Sequence, residues 1–317
     1  MKILITGGAG FIGSNLVHRY AKDKGNEIYI IDNLCTGEMS NIKDVIQYEN
    51  VHFFNLDVRD EKIIEFIREE AFDYIYNFAC PASPKYYLKF PIDTLETNIF
   101  GVRNILNAIK GTTTRFLQAS TSEVYGSAKE IPQKETYWGY VNCDGVRACY
   151  DEGKRAAETL IFDYIRLYNV DARVVRIFNT YGPRMNKDDG RVISNFVNQA
   201  INNIDITIYG DGKQTRSFCY IDDTLDAIIS LMNKSIAPET PINIGNPNEI
   251  SVIEVAMLIK EMTNSNSNII FCESMKDDPP RRRPDITRAI NTLDWKPKVE
   301  LKTGLKKCIK YYVESKL

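Results

Sequence analysis

Histidine is nearly missing from this chain: 317 residues contain only His18 and His52. That scarcity argues against a catalytic histidine, so proton chemistry must run on other groups. Cysteine is present but unorganised. Its seven copies (Cys35, Cys80, Cys143, Cys149, Cys219, Cys272 and Cys308) are odd in number and scattered, with no CxxC pair. This excludes a disulfide framework or zinc ribbon as the basis of the fold, predicts no metal, and fits a reducing cytosol. No apolar run approaches the length of a membrane span. Residues 2–6 already read as a strand with glycines following at once, which leaves no room for a signal peptide. Net charge is −2, so neither nucleic acid nor an anionic membrane is an expected partner. The basic run at 281–283 is too short and isolated to alter that.

What remains is ordinary for a globular enzyme: 44% hydrophobic and 26% charged residues. Near-continuous apolar runs at 2–6, 27–32, 51–57, 74–79, 115–121 and 172–178 read as strands covered on both faces. Helical patterns at 11–22, 60–70, 91–110 and 150–168 separate them. Such alternation predicts an α/β fold, a Rossmann-like doubly wound parallel sheet. The second half is more broken. Short strands are expected at 206–209, 242–245 and 268–272, helices at 191–202, 223–233, 252–262 and 302–314, and a linker-like stretch at 275–284. The expected organisation is a Rossmann domain of residues 1–178 plus about 219–245 that binds a cofactor. A smaller C-terminal substrate-binding lobe would comprise about 179–218 plus 246–317.

The first strand runs into Gly7, Gly10, Phe11, Ile12 and Gly13, a GxxGxxG spacing. Gly7 permits the tight turn, Gly10 lets backbone approach a pyrophosphate, and Gly13 lets helix pack on strand. The helix N-terminus then offers N–H groups to phosphates. Asp32 closes the second strand, where it can accept from a ribose 2′-hydroxyl and repel a 2′-phosphate. Asn33 follows with no Arg or Lys nearby, so NAD is favoured over NADP. Asp57 and Val58 would flank the adenine, although a plain strand-ending Asp is an equal reading.

Tyr150 and Lys154 lie four apart on one helical face. A tyrosine of pKa about 10 is a poor base at neutral pH. A lysine ammonium nearby, with the positive nicotinamide, would favour the phenolate by roughly three pKa units, or about 4 kcal/mol. The same stripe continues through Ala157, Ile161 and Tyr164, so Tyr150 also reads as a core aromatic. Thr121, at a neighbouring strand end, can hydrogen-bond the same substrate hydroxyl and complete a Thr-Tyr-Lys set. Glu123, two residues on, is a carboxylate where a buried strand opens into a loop. That position is costly unless the charge is paired.

Together these residues resemble the extended short-chain dehydrogenase/reductase superfamily. Longer runs narrow the likeness: "ACPASPKYY" (79–87), "ASTSEVYG" (119–126), "YWGYVN" (137–142), "CYDEGKRAAETL" (149–160), "RIFNTYGPRM" (176–185), "DGRVISNF" (189–196), "YGDGKQTRSFCYIDD" (209–223) and "RRRPDI" (281–286). They span nearly the whole chain and resemble the UDP-glucuronic acid decarboxylase (UDP-xylose synthase) family. The resemblance implies a UDP-sugar substrate with a carboxylate on C5. Oxidation at C4 makes a β-keto acid, CO2 leaves as its electrons pass into an enolate, and re-reduction of the ketone restores NAD. It implies catalytic roles for Thr121, Glu123, Tyr150, Lys154 and Arg282, with Ala79 beside the cofactor. Since arginine holds its proton too tightly for easy donation, Arg282 is read as an electrostatic anchor rather than an acid.

By the same resemblance Pro81, Ser83 and Tyr87 line the sugar pocket, and Asn179, Arg191, Asn195, Tyr209, Gln214 and Arg216 contact UDP. The rigid fork of Arg216 suits a diphosphate, and Arg184 is expected to approach the NAD phosphates. The family pairs helices matching 91–110 and 150–168 across a two-fold axis, so a homodimer is the default. Many animal and plant relatives carry a membrane anchor; none is read here, and a soluble cytoplasmic form is expected.

Two departures stand out. Cys143-Asp144 replaces Pro-Ile ahead of Tyr150, which would shift that loop. Asn15 replaces His and is expected to be harmless. Three competing readings remain. A 4-epimerase usually has no carboxylate matching Glu123 and no "RRRPDI". A 4,6-dehydratase typically carries an Asp where Ser122 stands. A non-catalytic NAD-binding scaffold tends to lose Tyr or Lys from the pair.

Overall fold

The strands of the first half are apolar on both faces because both faces are covered. In β1 (Lys2–Thr6), Ile3 and Ile5 join one core while Leu4 joins the opposite one. In β2 (Glu27–Ile31), Ile28 and Ile30 face the first core while Tyr29 and Ile31 face the second. This period of two is the pleat read through burial. The computed structural model describes residues 1–274 and 281–315.

In chain order β1 leads to α1 (Phe11–Tyr20), β2, β3 (Val51–Phe54), α2 (Lys62–Glu70), β4 (Tyr74–Asn77) and the short α3 (Pro84–Tyr87). Next come α4 (Pro91–Glu96), α5 (Val102–Ile109), β5 (Arg115–Thr121), the long α6 (Ala148–Tyr168) and β6 (Ala172–Ile177). The second half holds β7 (Thr180–Tyr181), α7 (Val192–Ile201), β8 (Ile206–Tyr209), β9 (Thr215–Ser217), β10 (Cys219–Tyr220), α8 (Ile221–Asn233) and β11 (Ile242–Ile244). It ends with β12 (Glu249–Ser251), α9 (Val252–Met262), β13 (Ile269–Cys272), β14 (Arg281–Arg282), α10 (Thr287–Leu293) and α11 (Leu301–Glu314).

Seven strands form one parallel sheet in the order β11-β6-β5-β4-β1-β2-β3. The chain runs outward from β1 to β3, then returns to β4 on the other side of β1. That reversal leaves a crevice at the carboxyl ends of β1 and β4, where doubly wound folds bind ligands. The expected Rossmann-like α/β fold is therefore the observed one. Among the described residues, no helix is long and apolar enough to cross a membrane.

Three expectations change. The helix expected over 91–110 is interrupted by a π-helical turn at Thr97–Gly101. There the Asn98 amide donates to Thr94 O (2.8 Å) and to Cys80 Sγ (3.1 Å), while Thr97 Oγ1 donates to Asp93 O (2.7 Å). Side-chain donors on the carbonyls of the preceding turn compete with regular helix spacing. The third strand ends at Phe54 and leaves Asp57 in a loop. Of the linker-like stretch, 275–280 lie outside the described residues, but Arg281–Arg282 form β14. This strand lies parallel to β9, with Arg282 in register with Arg216. A two-residue strand has no periodicity to detect, so this pairing was invisible in sequence.

Candidate active site

The glycine loop has the geometry its spacing predicted. Gly7 adopts φ +67°, and a Cβ there would sit 2.7 Å from Phe78 C. A Cβ on Gly13 would fall 2.3 Å from Gly7 O, so only glycine lets α1 close on the loop. α1 starts without a side-chain cap and with no acidic residue in its first turn, leaving its amides to an anion. Asp32 is buried; its Oδ2 accepts from Ala9 N and its Oδ1 from Leu34 N, each at 2.9 Å. Burial pushes its carboxyl up, and those two amides oppose the rise.

Asn33 donates to Asp57 at 2.9 Å. Arg59 lines the same end but is engaged by Asp57 (2.8 Å), Asp93 (2.7 Å) and Glu96 (3.0 Å). A 2′-phosphate would meet Asp32 and a cation already neutralised, so the cradle fits NAD.

Beside β4 in the sheet, β5 closes on Thr121, which lines the same crevice. Its Oγ1 accepts from Glu123 N at 3.2 Å, capping the single 3-10 turn Ser122–Tyr125. That cap orients both Thr121 and Glu123. The Glu123 side chain is 18% exposed, and its Oε2 accepts from Arg282 Nη2 (3.0 Å) and from Arg147 Nη2. Ser122 Oγ donates to the other oxygen at 3.4 Å. Burial pushes the carboxyl up, but Arg282, Arg147 and Arg216 outweigh it and hold Glu123 below the usual carboxylate range. Arg282 is 2% exposed and its second arm donates to Gly126 O at 2.9 Å. It is fixed by backbone as well as by charge.

The first turns of α6 bring Tyr150 and Lys154 to the same place. The rings of Tyr150 and Tyr87 stack at 5.1 Å between centroids. Lys154 Nζ donates to Ala119 O at 2.9 Å and stands 5.9 Å from the Tyr150 ring centre. Burial pushes the Tyr150 phenol well above the tyrosine range, and the Thr121 hydroxyl pulls the other way. Burial also pushes the Lys154 ammonium down. The expected lowering of the phenol is thus not achieved by the protein alone. The positive nicotinamide is the part of that argument the chain does not itself supply.

The structure gathers every residue nominated from sequence, Gly7 and Arg216 included, into one cleft. Arg216 donates to its neighbouring carbonyl Thr215 O (2.9 Å), Arg191 to Ala82 O (2.6 Å) and Gln214 to Tyr209 O (2.7 Å). Two buried hydroxyls from residues expected to line a sugar pocket, Ser83 Oγ and Tyr87 OH, have no hydrogen-bond partner. Each such group is costly unless something supplies one.

Sequence reasoning missed Arg147, which lines the cleft 15% exposed and pairs with Glu123. Its signal was available: it lies three residues before Tyr150, one helical turn away. It also missed buried Asp151, next to Tyr150, whose carboxyl is pushed up to about 7 by burial and by Glu123. Asn15, expected to be harmless, bonds Arg184 and Pro183 O.

Comparison with known proteins follows the same lines. The chain matches the GDP-mannose 4,6 dehydratase family model over residues 4–308. UDP-glucuronic acid decarboxylase 5 of Arabidopsis thaliana is 48% identical over 305 residues, covering 96% of this chain and 87% of the relative. UDP-glucuronic acid decarboxylase 1 of Xenopus tropicalis is 47% identical over 311 residues, covering 98% and 72%. Among solved structures, UDP-glucose 4-epimerase of Thermotoga maritima with UDP-glucose superposes with a TM-score of 0.90 at 28% identity, covering all of both chains. UDP-glucuronic acid 4-epimerase of Bacillus cereus, in complex with UDP-glucuronic acid and NAD, gives 0.89 at 26% identity, covering 99% and 100%.

Proposed function

The chain belongs to the UDP-glucuronic acid decarboxylase family of extended short-chain dehydrogenases/reductases, and from that premise we propose that it converts UDP-glucuronic acid to UDP-xylose and CO2 without net redox. The observation that carries this reading is Glu123: a largely buried carboxylate, held ionised by Arg147 and Arg282, two residues from Thr121 in the cleft that holds Tyr150.

Bound NAD supplies a reversible two-electron acceptor for C4. Tyr150 takes the C4 hydroxyl proton, Thr121 hydrogen-bonds the same oxygen, and Lys154 adds positive charge while anchored to Ala119 O. Loss of CO2 from C5 leaves an enolate, and one proton must reach C5. Glu123 and Arg282 face that carbon, with Arg282 fixed at Gly126 O as an anchor for carboxylate or water. Arg216 and Arg191 meet the diphosphate, while Gln214, Tyr209, Asn179 and Asn195 surround the nucleoside.

A homodimer fits the same reading. Ile92 and Phe100 on the α4–α5 side, and Leu167 and Tyr168 on α6, stay exposed as apolar surface for a second copy. A cytoplasmic location is supported by seven cysteines that are all free.

The test is to incubate the protein with UDP-glucuronic acid and sub-stoichiometric NAD, following CO2 and identifying the sugar by NMR. Many turnovers to UDP-xylose without net NADH support the proposal. Epimerised UDP-glucuronic acid without CO2 would overturn it in favour of a 4-epimerase.

A further inference from the structure

His18 belongs to no part of the reaction described above, yet both its ring nitrogens are engaged. It lies half-buried on α1, one turn beyond the glycine loop. Nε2 stands 3.0 Å from Asn41 O, and Nδ1 stands 3.3 Å from Arg184 Nη2. A carbonyl only accepts and a guanidinium only donates. Nε2 therefore carries the hydrogen and Nδ1 is bare, which makes His18 a neutral imidazole in one tautomer. Burial first, then the Arg184 charge, disfavours its protonation, while Asp44 favours it and Lys22 opposes it.

Arg184 is held from a second side, where its Nη1 donates to Asn15 Oδ1 at 3.1 Å. Asn15 in turn donates to Phe11 O (2.8 Å) and Pro183 O (3.0 Å). Asn41 closes the circuit by donating to Ala9 O within the glycine loop at 2.9 Å. Arg184 itself has a left-handed backbone, φ +67°, a strained conformation for arginine that persists only where its surroundings over-determine it. Arg184 lines the same cleft as the glycine loop.

We propose that His18, with Asn15, is a positioning residue that aims the Arg184 guanidinium at the negatively charged pyrophosphate of NAD. This rests on the reading that NAD occupies the glycine loop. The circuit ties that loop, the segment after β2 and the segment after β7 into one frame, so the cation is oriented before the cofactor arrives. Without the His18 acceptor, the guanidinium would keep its charge and lose its direction.

The test is a double-mutant cycle on NAD affinity measured by calorimetry, with UDP affinity measured in parallel to show an intact fold. R184A is expected to weaken NAD binding about 10-fold or more, as for loss of a charge-assisted hydrogen bond. H18A is expected to weaken it several-fold in the wild-type background and to add nothing in the R184A background. H18N, whose Oδ1 falls near the position of Nδ1, should recover most of the loss. Equal H18A effects in both backgrounds, or NAD affinity unchanged in R184A, would overturn the proposal. Wild-type protein that binds UDP but no NAD would instead overturn the cofactor reading beneath it.

Discussion

Replacing Asp151 by Asn should make the protein more stable, and by an amount that depends on pH. Asp151 follows Tyr150 on α6, is 8% exposed, and its Oδ1 has no hydrogen-bond partner. Burial and the neighbouring Glu123 charge push its carboxyl up to about 7 from the ordinary 3.8, against the pull of Arg147 and Arg282. In the unfolded chain the group releases its proton near the ordinary value. The folded state therefore binds the extra proton, and folding loses stability as pH rises between the two values. The slope is about 1.4 kcal/mol per pH unit, which accumulates to roughly 4 kcal/mol above neutrality. Asn has the same shape and no charge, so the variant escapes this loss; any cost of its amide is a constant offset.

Urea unfolding of wild type and Asp151→Asn, followed by circular dichroism from about pH 4.5 to about pH 8.5, gives the difference in unfolding free energy. That difference should climb with pH and level off above about pH 7. A flat difference curve would refute the assignment of a buried, like-charged environment to Asp151.

Other outcomes follow from the same geometry. Tyr150→Phe keeps the stack on Tyr87 and removes the phenol, so CO2 release should fall about 100-fold or more while UDP affinity, measured by calorimetry, is unchanged. Arg147→Ala removes one of the two guanidiniums on Glu123; CO2 release should drop about 10- to 100-fold in steady-state assays, with Arg282 still holding the carboxylate. Gly13→Ala would put a Cβ 2.3 Å from Gly7 O, so NAD binding by calorimetry should be lost while UDP binding persists.

Sequence by itself determined the parallel sheet and the cofactor loop. The inner strands announce themselves because burial on both faces demands unbroken apolar runs, and the glycine loop because a Cβ at Gly7 or Gly13 has no space. Thr121, Tyr150 and Lys154 were legible for a similar reason: a strand end and an (i, i+4) pair are local patterns. From the residues alone Glu123 was legible as an oddity, a charge placed where none is cheap, and the family resemblance supplied its role. Its partners were not local. Arg282 arrives from 159 positions away on β14, in register with Arg216. Arg147 lay just before the expected helix, and Asp151 looked like an ordinary member of it. Asn15 was expected to be harmless and His18 carried no assigned part until Arg184, 166 positions past His18, closed on them. Charge pairing and hydrogen-bond direction depend on distance in space, and chain closure alone sets those distances.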